Sequence, residues 1–282
     1  MPNISYPPKR PLTVGEILDL TFQIYRATLL KVLLLAGLAR LFSQLPNIYS
    51  LLRGEGHGGG LGGIVLALNE AQRHPAYWLL YLLGMIIDLT LYAAVIMRQH
   101  ELITGGDAGG EVMAGLRRVP AMIGAALLIS LSVGVCFIPA APFTSLGRVL
   151  AVAVLLIPAS YLMVMASLAI VAVVVERKGP VEGYLRSWSL VTGSFWRVST
   201  VYTVGVLVLL VFWVTLGSVV GVLAAIIGRG DVALVAATGG VLMLLTAALA
   251  MPFFTAMALA VYGELLTRKE GADLEQRIGA PA

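Results

Sequence analysis

Six stretches of the sequence are apolar for about 20 residues or more, the helix length that crosses the roughly 30 Å hydrocarbon core of a bilayer. They lie at residues 28–51, 76–97, 120–143, 149–175, 198–227 and 232–263. Only residues 144–148 and 228–231 separate the third span from the fourth and the fifth from the sixth, so each of these pairs must form an antiparallel hairpin. The pattern predicts an all-α fold, a polytopic membrane helical bundle that is a single domain over residues 1–282.

The composition supports a membrane-embedded chain. Hydrophobic residues make up 59% of the sequence and charged residues 12%, which is about half the charged share of soluble domains. A net charge of +4 is too small for the basic face of a nucleic-acid-binding protein. These values exclude a water-soluble enzyme, a disordered chain and a nucleic-acid binder. The single Cys136 excludes an intrachain disulfide and a cysteine-built metal site.

Basic residues are concentrated on one side of the predicted spans. With the N-terminus inside the cell, thirteen of the 19 Lys and Arg fall in inner segments and four in outer ones. The inner ones are Lys9, Arg10, Arg26, Arg98, Arg117, Arg118, Arg177, Lys178, Arg186, Arg197, Arg268, Lys269 and Arg277. Because basic residues near span ends remain cytoplasmic, we expect both termini, including a tail over residues 267–282, to be cytosolic.

Three amphipathic segments precede the inner-side entries into the membrane. The first, residues 13–26, starts with a capping box in which Thr13 is the N-cap and Glu16 the N3 residue. The second runs from Glu111 to Val119, and the third begins at Pro180. We predict three helices that lie in the membrane interface, each followed by a hairpin of spans.

Three blocks of residues on this inner side carry a recognisable pattern. The first is Arg10-Pro11-Leu12-Thr13-Val14-Gly15-Glu16-Ile17-Leu18-Asp19 with Phe22 and Tyr25-Arg26. The second is Glu176, Gly179-Pro180, Arg186-Ser187-Trp188-Ser189-Leu190-Val191, Gly193 and Phe195-Trp196-Arg197, and the third is Tyr262, Glu264-Leu265, Arg268-Lys269-Glu270-Gly271 and Asp273-Leu274. Together these blocks resemble the family of multi-pass bacterial membrane proteins described as the glycerophosphoryl diester phosphodiesterase membrane domain.

The resemblance implies a membrane module that occurs alone or attached to a phosphodiesterase barrel. The resemblance implies that such a barrel contains paired histidines and a metal-binding acidic cluster. Here His57, His74 and His100 lie in different loops without acidic partners at ligand spacing. We therefore expect no catalytic domain, no catalytic residues, no metal or cofactor and no enzymatic activity.

The candidate inner-side motif consists of residues within the three blocks. Its members are Glu16, Asp19, Arg186, Trp188, Glu264, Arg268, Lys269 and Glu270. The charged members either converge in an ion network or form a solvated rim, where ion pairs contribute little.

Arg40 and Asp88 are charged residues deep inside the first two predicted spans. Each lies 12 residues from the outer end of its span, which at 1.5 Å per residue places both about 18 Å deep. A lone charge there costs roughly 2.5 to 3.5 kcal/mol, so we expect adjacent spans and an ion pair that faces the bundle interior. The pair either fixes the register of two helices or takes part in moving protons or solute; otherwise the matching depths are a coincidence.

Other motifs have ordinary interpretations. Pro158 and Pro252 predict kinks in spans 4 and 6, or broken helices at a binding site. The small residues of Gly217-x-x-x-Gly221 and Ser130-x-x-x-Gly134 predict close helix packing, within the chain in preference to a dimer. The outer segment Gly54–Gly59 matches G-x-G-x-x-G without a predicted strand ahead of it, which indicates a flexible loop. The short apolar run Ile64–Leu68 predicts a surface or partly re-entrant helix.

These observations lead to a function hypothesis with one main alternative. The chain is expected to be a scaffold, assembly or lipid-interacting accessory factor of the bacterial cytoplasmic membrane, whose cytosolic face contacts lipid headgroups or a partner protein. The alternative is a secondary transporter or exporter component that uses the Arg40/Asp88 pair. A solvent-accessible cavity that reaches Asp88 would favour transport, and a dry packed core would oppose it.

Overall fold

The computed structural model describes residues 6–53, 74–106, 109–228 and 232–279, and within these ranges the chain is helical without any strand. The elements are α1 (Val14–Ser43), α2 (Leu45–Leu52), α3 (Pro75–Thr104), α4 (Glu111–Val135), a 3-10 turn (Ile138–Ala140), α5 (Ser145–Ala166), α6 (Ala169–Val175), α7 (Pro180–Val191), α8 (Phe195–Gly228) and α9 (Val232–Gly279). The predictions for Gly54–Gly59 and Ile64–Leu68 lie outside the described residues.

Six helices of the described chain are long and apolar enough to cross a membrane. They are Val14–Ser43, Pro75–Thr104, Glu111–Val135, Gly147–Val175, Phe195–Leu223 and Thr238–Gly271. The expected all-helical fold with six membrane-length helices is confirmed, and it suggests a membrane-embedded protein.

Two of the three amphipathic segments are continuous with the spans that follow them. α1 begins with the capping box, in which Thr13 N donates to Glu16 Oε2 at 2.8 Å and Glu16 N donates to Thr13 Oγ1 at 3.4 Å. No proline interrupts residues 14–43, so the helix continues from the amphipathic segment into the span. α4 likewise starts at Glu111 and passes through Pro120. The third segment, α7, is a separate helix.

Prolines end two helices earlier than the hydropathy pattern predicts. Pro46 lacks the N–H that would bond to Phe42 O, so α1 ends at Ser43 within the predicted span 28–51, and α2 follows as a separate helix. The Phe42 carbonyl lies against Gly84 of α3, where an added Cβ would be 2.6 Å from its oxygen. In the same way Pro139 cannot continue α4, so this helix ends at Val135, whereas the third predicted span extends to residue 143.

The fourth membrane-length helix breaks at Ser167-Leu168 rather than at Pro158. α5 runs through Pro158, and the helix is interrupted only by the turn at Ser167-Leu168. There Leu168 N donates to Ser187 Oγ at 3.1 Å, and Ser187 Oγ donates to Met165 O at 2.7 Å. The hydroxyl of a residue on α7 therefore satisfies the backbone groups that the break leaves without helical partners.

The buried core lies toward one end of the bundle, which we call the terminal end because the segment 6–13 and residues 262–271 meet there. α6 is mostly buried, and α9 is buried from Met251 to Leu265 except at Phe254. Toward the other end, which we call the hairpin end, the most apolar 18 residues of α8 include no buried residue. An apolar surface of this extent is suited to contact with lipid rather than water.

Close helix packing occurs at glycines other than the predicted ones. A Cβ added at Gly115 would lie 2.5 Å from Thr90 O, and one at Gly183 would lie 2.4 Å from Val173 Cγ2. Close packing at Gly217-x-x-x-Gly221 is not found among the described residues, since a Cβ at either position would meet none of their atoms within 4 Å. The same holds for Gly134. Spacing along one helix reveals a smooth face but not whether a neighbour packs on it.

Candidate functional site

Arg40 in the last turn of α1 and Asp88 near the middle of α3 form an ion pair. Arg40 Nη2 lies 3.2 Å from Asp88 Oδ1 and 3.4 Å from Oδ2. The side chains are 28% and 21% exposed, so both are partly buried. Nη2 also lies 3.7 Å from Met251 Sδ on α9. The two residues are therefore in contact across adjacent helices, with α9 against the guanidinium.

A cavity of about 420 Å³, open at the bundle surface, adjoins Arg40. Its polar lining is Arg40, Tyr92, Ser167 and Tyr202, and its apolar lining is Ala247, Ala250, Met251, Phe254 and Ala258. Arg40 Nε is buried and has no hydrogen-bond partner among the described residues. The buried hydroxyls of Ser167 and Tyr202 have none there either, apart from each other. The residues around the cavity therefore include buried hydrogen-bond donors that lack matching acceptors among the described residues.

Three helix irregularities meet at this cavity. Arg40 lies one turn before the break at Gln44, Ser167 forms the break between α5 and α6, and Met251 precedes Pro252 inside α9. Non-helical backbone at membrane depth is tolerated where it is buried in protein or lines a cavity. Discontinuous helices of this kind form the ligand sites of many membrane transporters.

A buried polar cluster next to Pro252 joins α1, α3 and α9. Gln99 Nε2 donates to Thr28 Oγ1 at 3.1 Å and to Pro252 O at 3.0 Å, and Thr255 Oγ1 donates to Gln99 Oε1 at 2.6 Å. Each of these polar atoms has a partner, so the cluster joins three helices and offers no free group to a ligand. Sequence reasoning missed Gln99 because the predicted second span ends at residue 97. An uncharged amide in the same apolar helix was the available signal.

At the terminal end, Arg186 and Glu270 of the predicted motif meet at Glu176. Arg186 Nε donates to Glu176 Oε1 at 2.9 Å, and Arg186 Nη2 donates to Glu270 Oε1 at 2.5 Å. Lys178 Nζ lies 2.6 Å from Glu176 Oε2, and the Tyr262 hydroxyl donates to Oε1. Burial acts to raise the pKa of Glu176, but the hydrogen bonds from Lys178, Tyr262 and Arg186 outweigh it and hold the pKa below its ordinary value of 4.5.

Glu264 on α9 is the most buried carboxylate of the motif, with 1% of its side chain exposed. Its Oε1 accepts hydrogen bonds from Arg197 Nη1 at 3.2 Å and Arg268 Nε at 2.7 Å. Both arginines also donate to the carbonyl of Leu12, at 3.0 Å from Arg197 and 3.5 Å from Arg268. Arg197 on α8 and Arg268 on α9 therefore hold the segment that leads into α1.

The acidic residues at the start of α1 form a third group. Glu16 completes the capping box and forms an ion pair with Arg10 at 2.5 Å. Both side chains are exposed, so this pair does not neutralise a buried charge. Asp19 is exposed and lines a surface groove with Lys9. The charged motif residues thus fall into three groups, around Glu176, Glu264 and Glu16.

The last two motif residues hold α7 in place. Lys269 Nζ donates to Thr192 O at 2.9 Å and to Ser189 O, which are carbonyls at the C-terminal end of α7. The Trp188 ring packs edge-on against Tyr161 of α5. Most of the motif therefore uses its polar groups to join α7, α9 and the N-terminal segment, whereas Arg40 keeps a buried donor without a described partner.

No family model, curated protein or solved structure matches this chain. Within the described ranges, no three His, Cys, Asp or Glu side chains are grouped as ligands for a metal ion.

Proposed function

We propose that the chain is a non-enzymatic, multi-pass protein of the bacterial cytoplasmic membrane, with both termini cytosolic, that acts as a lipid-interacting accessory or assembly factor. The observation that carries this proposal is the outward-facing apolar surface of the three amphipathic segments. Side chains on or beside them that are 44% to 81% exposed are Phe22, Val112, Met113, Leu116, Val181, Leu185 and Trp196.

This apolar surface suits the membrane interface. α7 buries Gly183, Ser187 and Leu190 against the protein, while Val181 and Leu185 remain exposed on its other side. An amphipathic helix with its polar groups bonded internally is stabilised when such side chains enter the acyl boundary. The exposed basic residues Lys9, Arg26 and Arg117 at the same end would attract anionic headgroups.

Membership of the glycerophosphoryl diester phosphodiesterase membrane-domain family is part of the proposal. The three blocks that carry the resemblance are far apart in the sequence, yet their side chains meet: Arg186 bonds Glu270, and Arg197 bonds Glu264 beside Leu12. Residues that join three elements are those whose replacement a fold tolerates least, which supports a shared fold as the origin of the pattern.

Cysteine labelling tests the orientation. In a Cys136→Ser background, Ser189→Cys places a thiol on exposed α7 at the terminal end, and Thr144→Cys places one on the exposed turn at the hairpin end. A membrane-impermeant maleimide added to intact cells should label Thr144→Cys, and Ser189→Cys only after the cells are opened. Labelling of Ser189→Cys in intact cells would reverse the proposed topology.

Quenching of tryptophan fluorescence tests the lipid contact. Trp196 is 81% exposed, so brominated phosphatidylcholine in reconstituted vesicles should quench it strongly. Trp196→Phe should remove a large part of the quenching, and the matched variant Trp188→Phe, whose ring is partly covered by Tyr161, a smaller part. Equal losses in the two variants would contradict an interfacial position for Trp196.

A second candidate function, as a component of a transporter or exporter, is favoured by the cavity where two helices are interrupted and a third contains a proline. Transport requires water access to Ser167 from each side of the membrane in turn. In the Cys136→Ser background, a small charged thiosulfonate should modify Ser167→Cys both in right-side-out vesicles and in inverted ones. Modification from neither side would eliminate this candidate.

A further inference from the structure

We propose that the cavity beside Arg40 is a binding site for an anionic amphiphile, whose carboxylate or phosphate oxygens accept hydrogen bonds from Arg40, Ser167 and Tyr202. This inference names the ligand class of the proposed lipid-interacting role. It rests on the embedding of the chain in a membrane, but neither on the orientation nor on the interfacial contact of Trp196.

The first argument concerns the donors of Arg40. A guanidinium carries five N–H donors in a planar fork, and the described contacts of Arg40 with Asp88 and Met251 all involve Nη2. Nε is buried without a partner among the described residues. An unmade hydrogen bond to a charged group is costly in a low-dielectric interior, so an oxygen ligand at Nε would be strongly favoured.

The second argument is that two neutral donors flank the same cavity. Ser167 and Tyr202 line it together with Arg40, and their buried hydroxyls have no described partner other than each other. Ser167 is available because the break between α5 and α6 lies at this residue. One charged and two neutral donors around a single space match the several acceptor lone pairs of a carboxylate or phosphate.

The third argument concerns the charge balance. Asp88 neutralises the guanidinium formally, and the other lining residues are uncharged. The anion is therefore held by directed hydrogen bonds rather than by a net positive charge. Removing the charge of Asp88 while keeping its shape should leave a positive site and strengthen anion binding.

The fourth argument selects an amphiphile over a free anion. The other lining residues of the cavity are apolar, and Ala250 and Phe254 also line an adjoining apolar groove of about 370 Å³ formed by α1, α8 and α9. The remaining groove residues include Leu209, Trp213 and Phe253. Both spaces are within the size range of ligand sites, and an acyl chain attached to the anionic group would bury apolar surface in the groove.

The experiment measures binding to the purified full chain in mild detergent by native mass spectrometry. The probes are oleate, dioleoylphosphatidic acid, oleyl alcohol and inorganic phosphate. Oleate or dioleoylphosphatidic acid should bind at least about tenfold more tightly than oleyl alcohol, which lacks the anionic group. Preference for oleate identifies a carboxylate site, and preference for dioleoylphosphatidic acid a phosphate site. Inorganic phosphate binding as tightly as the lipids, or oleyl alcohol binding as tightly as oleate, would overturn the proposal.

Four variants locate the site. Tyr202→Phe should weaken binding by about five- to tenfold, Arg40→Gln should abolish it, and Asp88→Asn should strengthen it several-fold. Tyr161→Phe, on the exposed side of α5, should bind as the wild type does. Thermal unfolding in the same detergent checks that each variant is folded. Because Tyr202→Phe leaves the ion pair intact, unchanged binding by Tyr202→Phe and Asp88→Asn would overturn the proposal even if Arg40→Gln failed to fold.

Discussion

Ser187 and Leu168 are joined by a hydrogen bond across the break in the fourth membrane-length helix. Leu168 N donates to Ser187 Oγ at 3.1 Å, and the same oxygen donates to Met165 O at 2.7 Å. The side chain on α7 replaces backbone hydrogen bonds that continuous helix would have made. The position of α7 is thereby coupled to Ser167, which lines the cavity beside Arg40.

Replacing Ser187 by Ala should destabilise the fold. The variant leaves Leu168 N and Met165 O buried without their partner, so the free energy of unfolding should fall by about 1–3 kcal/mol. Unfolding in mixed detergent and SDS micelles measures it. Ser189→Ala is the control, since Ser189 is exposed and its Oγ bonds, among the described residues, only to Arg186 O on its own helix. Equal stability of the two variants would show that the break does not depend on Ser187.

The Arg40–Asp88 pair should behave as a coupled pair in a double-mutant cycle. Arg40→Met and Asp88→Leu should each lower the free energy of unfolding by about 1–3 kcal/mol, because each leaves one partly buried charge unpaired. The double variant should recover most of that loss. Losses that simply add, measured by the same unfolding assay, would mean that the two charges are not coupled.

Glu264 and Glu16 provide a matched comparison of buried and exposed carboxylates. Glu264→Gln leaves Arg197 and Arg268 beside a neutral group with 1% exposure, and we expect a loss of about 2–4 kcal/mol in the free energy of unfolding. Glu16→Gln should cost less than about 1 kcal/mol, since Gln also completes a capping box. A larger effect at Glu16 than at Glu264 would contradict the assignment of Glu264 as the anchor of the N-terminal segment.

The lowered pKa of Glu176 predicts a pH dependence of stability. Because its pKa is lower in the folded state, its stabilising contribution is present above the ordinary value of 4.5 and is lost as pH falls through the lower folded value. Glu176→Gln should therefore unfold at a lower temperature than the wild type near pH 7, and the difference should shrink below about pH 4. Melting curves of both proteins from pH 7 to 3.5 check this. A constant difference over that range would contradict it.

Gly115 and Gly217 should respond in opposite ways to an added methyl group. At Gly115 a Cβ would lie 2.5 Å from the backbone oxygen of Thr90, so Gly115→Ala should force α4 from α3 and cost about 1–3 kcal/mol. At Gly217 there is no atom within 4 Å among the described residues, so Gly217→Ala should be neutral or stabilise the helix by up to about 1 kcal/mol. A loss on Gly217→Ala comparable to that at Gly115 would indicate that Gly217 packs against something other than the described residues.

Local signals predicted elements well where the chain's own residues decide them. The Thr13–Glu16 capping box starts α1 where the pattern places it, because its donors and acceptors lie within four residues. The first and third predicted spans extend beyond the observed ends of α1 and α4, although Pro46 and Pro139 mark these ends in the local sequence. Hydropathy over 20 residues averages over a single proline and so hides the interruption.

Parts of the candidate site depend on neighbours that a sequence does not reveal. Matching depth suggested that Arg40 and Asp88 could meet, but nothing in the sequence placed Ser167 and Tyr202 beside them. Gln99 was left outside its span, although its side chain joins Thr28 and Pro252. A hydrogen bond between two helices depends on how each helix is rotated about its axis and on the angle at which they cross. The residue pattern of a single helix encodes neither.

The amino-acid sequence by itself determined that the chain forms six apolar helices of membrane length and where the first of them starts, because hydrophobicity and capping act over a few neighbouring residues. The tertiary structure alone decided that the fourth helix breaks at Ser167-Leu168, that the motif charges divide among Glu176, Glu264 and Glu16, and that a cavity with unmatched donors forms at Arg40. These features arise where side chains from distant segments satisfy, or leave unsatisfied, each other's polar groups.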